Sequence, residues 1–243
     1  MDRKDFLKKG FTALGISMVM PLTGCKKSEV DAATTSGTGT GTSTGTTTGN
    51  CTVTPSETEG PFPTKTPSSL VLTDIRSDRT GVPFTIKITI QNKNAGCAVL
   101  KGALVDIWHC DKDGYYSEYG GTGMQSANFT SVHFLRGRQT TDASGLVSFT
   151  SIFPGWYSGR APHIHVHIYD STGKSLLVTQ IAFPKDVCDT VYTTATTFYT
   201  RGKQDTTNER DNVFSDGFTT ELATVTGSVS AGYVLTHTIV VSA

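Results

Sequence analysis

One short segment carries the strongest chemical signal in this chain, His163-Ile164-His165-Val166-His167-Ile168-Tyr169. Side chains alternate across an extended strand, so Ile164, Val166 and Ile168 take one face while His163, His165, His167 and Tyr169 take the other. Two neutral imidazoles two residues apart on one face form a natural metal pair. The competing reading is a wet outer face on which histidine is merely polar. Just upstream runs Pro154-Gly155-Trp156-Tyr157-Ser158-Gly159-Arg160-Ala161-Pro162. Its Pro-Gly turn and the breakers Gly159 and Pro162 bend the chain and place Tyr157 and Arg160 near the start of the histidine strand. Phenolate is a hard anionic donor, and together with imidazoles it suits ferric iron far better than zinc or calcium. A free tyrosine ionises only near pH ~10, but a trivalent ion would hold it ionised at neutral pH.

The elements that must position these residues read as strands. Phe84, Ile86, Ile88 and Ile90 alternate with Thr85, Lys87, Thr89 and Gln91, the period of a half-buried strand. Leu104–His109, Leu146–Ile152, His163–Tyr169, Leu176–Phe183 and Tyr233–Val241 are further candidates. Turn signals separate them at Asp113-Gly114, Gly120-Gly121, Ser144-Gly145, Pro154-Gly155 and Thr172-Gly173. The expected fold is therefore all-β, an antiparallel β-sandwich with long loops and little helix. Helix is expected to be scarce, with a turn or two at Asp186–Thr200, which Thr and Tyr crowd.

The chain has 243 residues, with 21 Lys and Arg against 21 Asp and Glu. No basic footprint is present, which argues against a nucleic-acid partner. No apolar run approaches the roughly 20 residues of a spanning helix, which excludes a multi-span membrane protein. The first 50 residues are unlike the rest. Arg3, Lys4, Lys8 and Lys9 precede an uncharged stretch, Gly10 to Thr23, that closes on Leu22-Thr23-Gly24-Cys25. That order predicts an export signal over residues 1–24, and its ending resembles the lipobox of bacterial lipoproteins, in which the Cys is lipidated. Arg3-Lys4-Asp5-Phe6-Leu7-Lys8 also resembles a twin-arginine signal with Lys as its second basic residue, so the export route stays open. Residues 34–49 are sixteen consecutive Thr, Ser or Gly, which predicts a flexible tether over 25–50 and a folded domain over 51–243. The expected location is the bacterial cell envelope, with Cys25 as lipid anchor. Without residues 1–24 the chain carries 17 basic and 19 acidic residues, a net charge of −2.

Cys51, Cys97, Cys110 and Cys188 remain, none at zinc-like spacing. In an exported chain they allow three disulfide pairings, and Cys51 and Cys97, which flank the start of the domain, are expected to take part.

A family resemblance rests on several segments in order. They are Thr58-Glu59-Gly60-Pro61-Phe62, Leu100 to Asp111 with Val105-Asp106-Ile107-Trp108-His109, and Gly114-Tyr115-Tyr116-Ser117. Phe134-Leu135-Arg136-Gly137-Arg138-Gln139-Thr140-Thr141-Asp142, Pro154-Gly155-Trp156-Tyr157 and His163-Ile164-His165 follow. Together they resemble the intradiol ring-cleavage dioxygenases, which use non-haem Fe(3+) and include the catechol, hydroxyquinol and protocatechuate enzymes. The resemblance implies iron ligands at Tyr116, Tyr157, His163 and His165, with Tyr115 as the rival to Tyr116. It implies a substrate-facing Arg at Arg160, three residues before His163, and a Gln at Gln180, seventeen after it. Gln180 read alone is an ordinary polar residue on a strand's outer face. The implied reaction cleaves a catechol-type aromatic diol with O2 to a cis,cis-muconate-type diacid. Tyr157 would leave the metal and accept a substrate proton, and Arg160 would stabilise charge on the ring. His167 is expected beside the ligands or at the surface, His109 in sheet packing or bonded to a pocket residue, and Cys110 as a free buried thiol. Trp108 and Trp156 would wall the pocket or core, and the loop from Tyr119 to His133 would form part of the pocket rim. Catechol-type members carry a helical N-terminal region used for dimerisation and lipid binding. The tether stands in its place here, which leaves the oligomeric state open. The rival reading is a non-catalytic β-sandwich module, tethered to the membrane, that binds a phenol, a metal or a carbohydrate.

Overall fold

The computed structural model describes residues 50–121 and 123–243. The export signal, Cys25 and all but the last residue of the tether lie outside the described residues. Nine strands are described: β1 (Pro83–Asn92), β2 (Ala98–Val99), β3 (Leu104–Trp108), β4 (Arg136–Thr140), β5 (Leu146–Ile152), β6 (His163–Tyr169), β7 (Ser175–Ala182), β8 (Thr224–Ser228) and β9 (Gly232–Val241). One sheet runs β2-β1-β9-β8, with β5 also paired to β1, and the other runs β4-β3-β6-β7. The inner faces meet in a core that includes Phe84, Ile86, Ile88 and Ile90 of β1, Ile164, Val166 and Ile168 of β6, and Leu235 and Ile239 of β9. The strict alternation of β1 and β6 in sequence is thus the alternation between core and outer face. This is the expected β-sandwich.

Three features depart from the expectations. The β1–β9 pair is parallel, Phe84 opposite Tyr233 through Asn92 opposite Val241. No hairpin joins these two strands, so nothing forces them antiparallel. Strands β4 and β8 show no apolar alternation. Gly137 of β4 faces Ile75 and Phe149, where a Cβ would stand 2.6 and 3.2 Å from their side-chain carbons. An outward Arg136 and Arg138 complete a strand without an aliphatic stripe. Finally, α1 (Lys185–Thr194) spans ten residues, longer than expected, and buries Cys188, Val191 and Tyr192 against the core. Tertiary burial of that face offsets the weak helix propensity of its threonines. Among the described residues no helix is long and apolar enough to cross a membrane.

Cys51 and Cys97 form a disulfide across 46 residues, while Cys110 and Cys188 are free and buried. The disulfide opens a strap that crosses the outer face of the β4-β3-β6-β7 sheet. Thr54 exchanges two 3.0 Å bonds with Val240, the Glu57 N–H donates to the Val178 carbonyl at 2.8 Å, and the Lys65 N–H donates to Glu118 Oε2 at 2.7 Å.

Candidate active site

The site lies under this strap, on the outer face of the sheet. Cross-strand register sets Arg136 (β4), Trp108 (β3), His165 (β6) and Gln180 (β7) side by side in one row. All four are buried. A wet outer face does not describe this row.

Two imidazoles and a phenol converge beside it. His163 Nε2 and His165 Nε2 are 3.1 Å apart, and Tyr116 Oη lies 3.3 Å from His163 Nε2. Nδ1 of His163 is 2.6 Å from the Ala161 carbonyl. A carbonyl only accepts, so Nδ1 carries the proton and Nε2 presents its lone pair to the site. The His165 ring stacks on Trp108, with centroids 4.9 Å apart and planes 2° apart. Tyr157 closes the group, its ring 5.8 Å from His163 and 5.9 Å from Tyr116. Burial holds both imidazoles far below the usual histidine range, reinforced by the positive charge of Arg160 at each. Both are neutral near pH 7. Burial also pushes the Tyr116 phenol well above its ordinary range. Tyr157 is raised by burial too, with the Arg160 charge opposing.

Arg160 is held from three sides. Its Nε donates to Asp211 Oδ1 at 2.8 Å, its Nη2 to Gln180 Oε1 at 2.6 Å, and its Nη1 points to Tyr157 Oη at 3.4 Å. Gln180 Nε2 in turn donates to the Thr58 carbonyl at 2.8 Å, tying the strap to β7. Gln180 therefore sits on the outer face of its strand without being an ordinary surface residue.

The strap fits closely. Gly60 has φ 67°, and a Cβ there would stand 3.0 Å from His165 Cε1. Phe62 stacks on Tyr116 at 4.8 Å. Arg136 donates to the Phe62 carbonyl at 2.9 Å, to the Ser117 carbonyl at 2.6 Å and to Ser117 Oγ at 2.9 Å, which joins the strap to the loop bearing Tyr116. Gln125 holds the same loop by accepting from the Tyr116 N–H at 2.7 Å and donating to the Tyr116 carbonyl at 2.8 Å.

The remaining candidates fall elsewhere. Tyr115 packs its ring on Phe129 at 6.0 Å, away from the histidines, so Tyr116 is the tyrosine that reaches them. His167 is half-buried and paired with Glu59 at 2.9 Å. His109 is buried between the Cys110 carbonyl at 2.8 Å and Ser151 Oγ at 2.7 Å, inside the fold. Trp156 packs against the core and donates to the Gly202 carbonyl at 3.0 Å. Sequence reasoning missed Asp211 and Gln125. Both stand in long loops without a motif of their own, and only the fold brings them to the site. A hollow of about 460 Å³ opens beside Tyr157, lined also by Tyr115, Met124, Ser158 and Arg201. Met124 lies in the loop expected at the rim.

Among the described residues no group of three His, Cys, Asp or Glu side chains converges. A metal centre at this place must therefore draw on the tyrosines, and two imidazoles with two phenols are a donor set for ferric iron. The two facing Nε2 atoms support the fit, because at 3.1 Å two lone pairs repel unless a proton or a cation lies between them.

A family model described as Dioxygenase matches residues 59–216, well over half of the chain, and the chain belongs to this family of intradiol ring-cleavage dioxygenases. It is 26% identical over 121 residues to catechol 1,2-dioxygenase 1 of Acinetobacter lwoffii, covering 42% of this chain and 37% of that protein. It is 30% identical over 106 residues to chlorocatechol 1,2-dioxygenase of Rhodococcus opacus, covering 36% and 38%. The matches thus span less than two fifths of these curated relatives. Among solved structures, an intradiol ring-cleavage dioxygenase from Tetranychus urticae superposes with a TM-score of 0.70 at 26% identity, covering 79% of this chain and 95% of that one.

Proposed function

We propose that this chain is an iron(III)-dependent intradiol dioxygenase that opens the ring of a catechol-type aromatic with O2 to a cis,cis-muconate-type diacid. The observation that carries this reading is the convergence of His163 Nε2, His165 Nε2 and Tyr116 Oη, with Tyr157 and Arg160 alongside. Tyr116, Tyr157, His163 and His165 would hold the metal. Iron held there would supply Lewis-acid chemistry toward a catechol-type diol and O2.

The side chains do the rest. A catechol must shed both phenolic protons, and we assign one of them to Tyr157, which also lines the open hollow. Tyr116 is fully buried and stacked under Phe62, which fixes its ring, whereas Tyr157 is only partly buried. Arg160 sets a fixed cation next to Tyr157 Oη, where negative charge gathers on the ring. Gln180 fixes the Nη2 side of that guanidinium. The strap and Phe62 exclude water from the imidazole side.

Purified protein loaded with ferrous iron in air should bind about one iron per chain and take on a broad visible absorption from tyrosinate-to-iron charge transfer. It should then consume O2 with catechol, hydroxyquinol or protocatechuate and yield a ring-opened diacid. A protein that stays colourless and iron-free overturns the reading, and iron with colour but no oxygen uptake would favour a phenol-binding module. We read Cys25 as the lipid-bearing residue of an exported form. Metabolic labelling with a radioactive fatty acid should mark the wild-type chain and fail to mark Cys25→Ser.

A further inference from the structure

We infer that Asp211 is the positioning residue of this site, one carboxylate that fixes both the guanidinium of Arg160 and the ring of His163. The inference rests on the proposed function for its catalytic consequence, and on the geometry alone for the placement.

Asp211 is buried in the loop between α1 and β8, about fifty residues beyond the groups it touches. Its Oδ1 accepts from Arg160 Nε at 2.8 Å and from the Val213 N–H at 3.0 Å. Its Oδ2 accepts from the same Arg160 Nε at 2.9 Å and from the Ala161 N–H at 2.8 Å. Ala161 is the link to the metal side. Its N–H is fixed by Asp211, and its carbonyl accepts the Nδ1 proton of His163 at 2.6 Å. One carboxylate thus anchors the Arg160–Ala161 peptide, directly before the Ala161 carbonyl that sets the His163 tautomer and leaves Nε2 free to ligate. Groups that orient a ligating histidine in this way are worth about 10–100-fold in metal affinity or activity.

The same carboxylate decides where Arg160 points. With Nε spent on Asp211 and Nη2 on Gln180, the remaining edge of the guanidinium turns toward Tyr157 Oη. Without Asp211 a long arginine side chain would have several rotamers open to it, and a buried cation would lack its counter-charge. A neutral residue at 211 could offer an acceptor but not that charge.

The test reads placement and turnover separately, in Asp211→Ala and the near-isosteric Asp211→Asn. In the metal-free protein, ¹⁵N NMR should show His163 as a single Nδ1–H tautomer and the Arg160 Nε–H as a slowly exchanging proton. In Asp211→Ala, His163 should become a mixture of tautomers and the Arg160 proton should exchange rapidly. In Asp211→Asn the Arg160 proton should also be lost from slow exchange, with His163 less disturbed. In the iron-loaded protein both variants should lose about 10–100-fold in kcat/KM for oxygen uptake. A merely structural Asp211 would lower the melting temperature and leave both NMR signatures unchanged in the folded variants, and that result overturns the inference. If the wild-type protein consumes no O2 with any catechol, the proposed function falls, while the NMR comparison still decides the placement.

Discussion

His165 and Gln180 stand directly opposite each other across β6 and β7. One faces the convergent donor group, and the other grips Arg160 and the strap at once. Replacing Gln180 with Ala deletes an acceptor for a buried guanidinium and a donor to the Thr58 carbonyl. Loss of such a bond costs about 1–3 kcal/mol. Gln180→Ala should therefore unfold at a lower temperature and lose roughly tenfold or more in kcat/KM for oxygen uptake. Gln180→Glu keeps the acceptor but turns a carboxylate oxygen on the Thr58 carbonyl, so it should loosen the strap without freeing Arg160. Limited proteolysis between residues 54 and 64 distinguishes the two variants.

Much of this arrangement is legible in the amino-acid sequence. The alternation in β1 and β6 gave the core face, and the histidine strand gave the pair at its centre. What the alternation did not carry was the covering of the outer face. Period-two patterning says that His163 and His165 point away from the aliphatics, but not whether they meet water or a strap. Strand β4 was invisible because its inward positions are Gly137 and Gln139 rather than aliphatic. Asp211 was invisible for a different reason. A lone Asp in a loop has no local period, and its value arises only when a distant Arg160 folds against it.

Gly60 is the position where the strap and the site come closest. A Cβ there would press on His165 Cε1 at 3.0 Å, and the His165 ring is already stacked on Trp108. The backbone φ of 67° adds about 1–2 kcal/mol for any side chain. Gly173 offers the comparison, since its φ is 90° and nothing lies within 4 Å of a Cβ there. Gly173→Ala should show the backbone cost alone, a modest fall in melting temperature with iron binding intact. Gly60→Ala should fall further and also bind less iron, measured by metal analysis of the two purified variants.

The strap begins at the Cys51–Cys97 disulfide, which closes a loop of 46 residues. By loop-closure entropy such a link stabilises by about 4 kcal/mol, and measured values commonly fall somewhat lower. Cys51→Ala/Cys97→Ala should therefore melt several degrees below the wild type. Reductant should move the wild type the same way and leave the double variant where it is. Cys110 and Cys188 are buried thiols whose ionisation burial pushes far up, so neither substitutes as a bridging partner.

Glu221 makes stability depend on pH at a distance from the imidazoles. It is buried, with Thr179 Oγ1 donating to Oε1 at 3.1 Å and with no partner for Oε2 among the described residues. Burial, followed by the negative charges of Glu57 and Asp216, pushes its carboxyl up to about 8 from an ordinary value of 4.5. Between those values the folded chain holds a proton that the unfolded chain releases, so stability falls as pH rises across that window. The contribution is fully present below about 4.5 and lost above about 8. Glu221→Gln keeps the neutral form at every pH. Melting temperatures from pH 5.5 to 8.5 should decline in the wild type and stay flatter in the variant. The variant should be the more stable protein at the alkaline end by several degrees. Parallel curves would mean that Glu221 ionises in both states alike, and would remove it as the source of the slope.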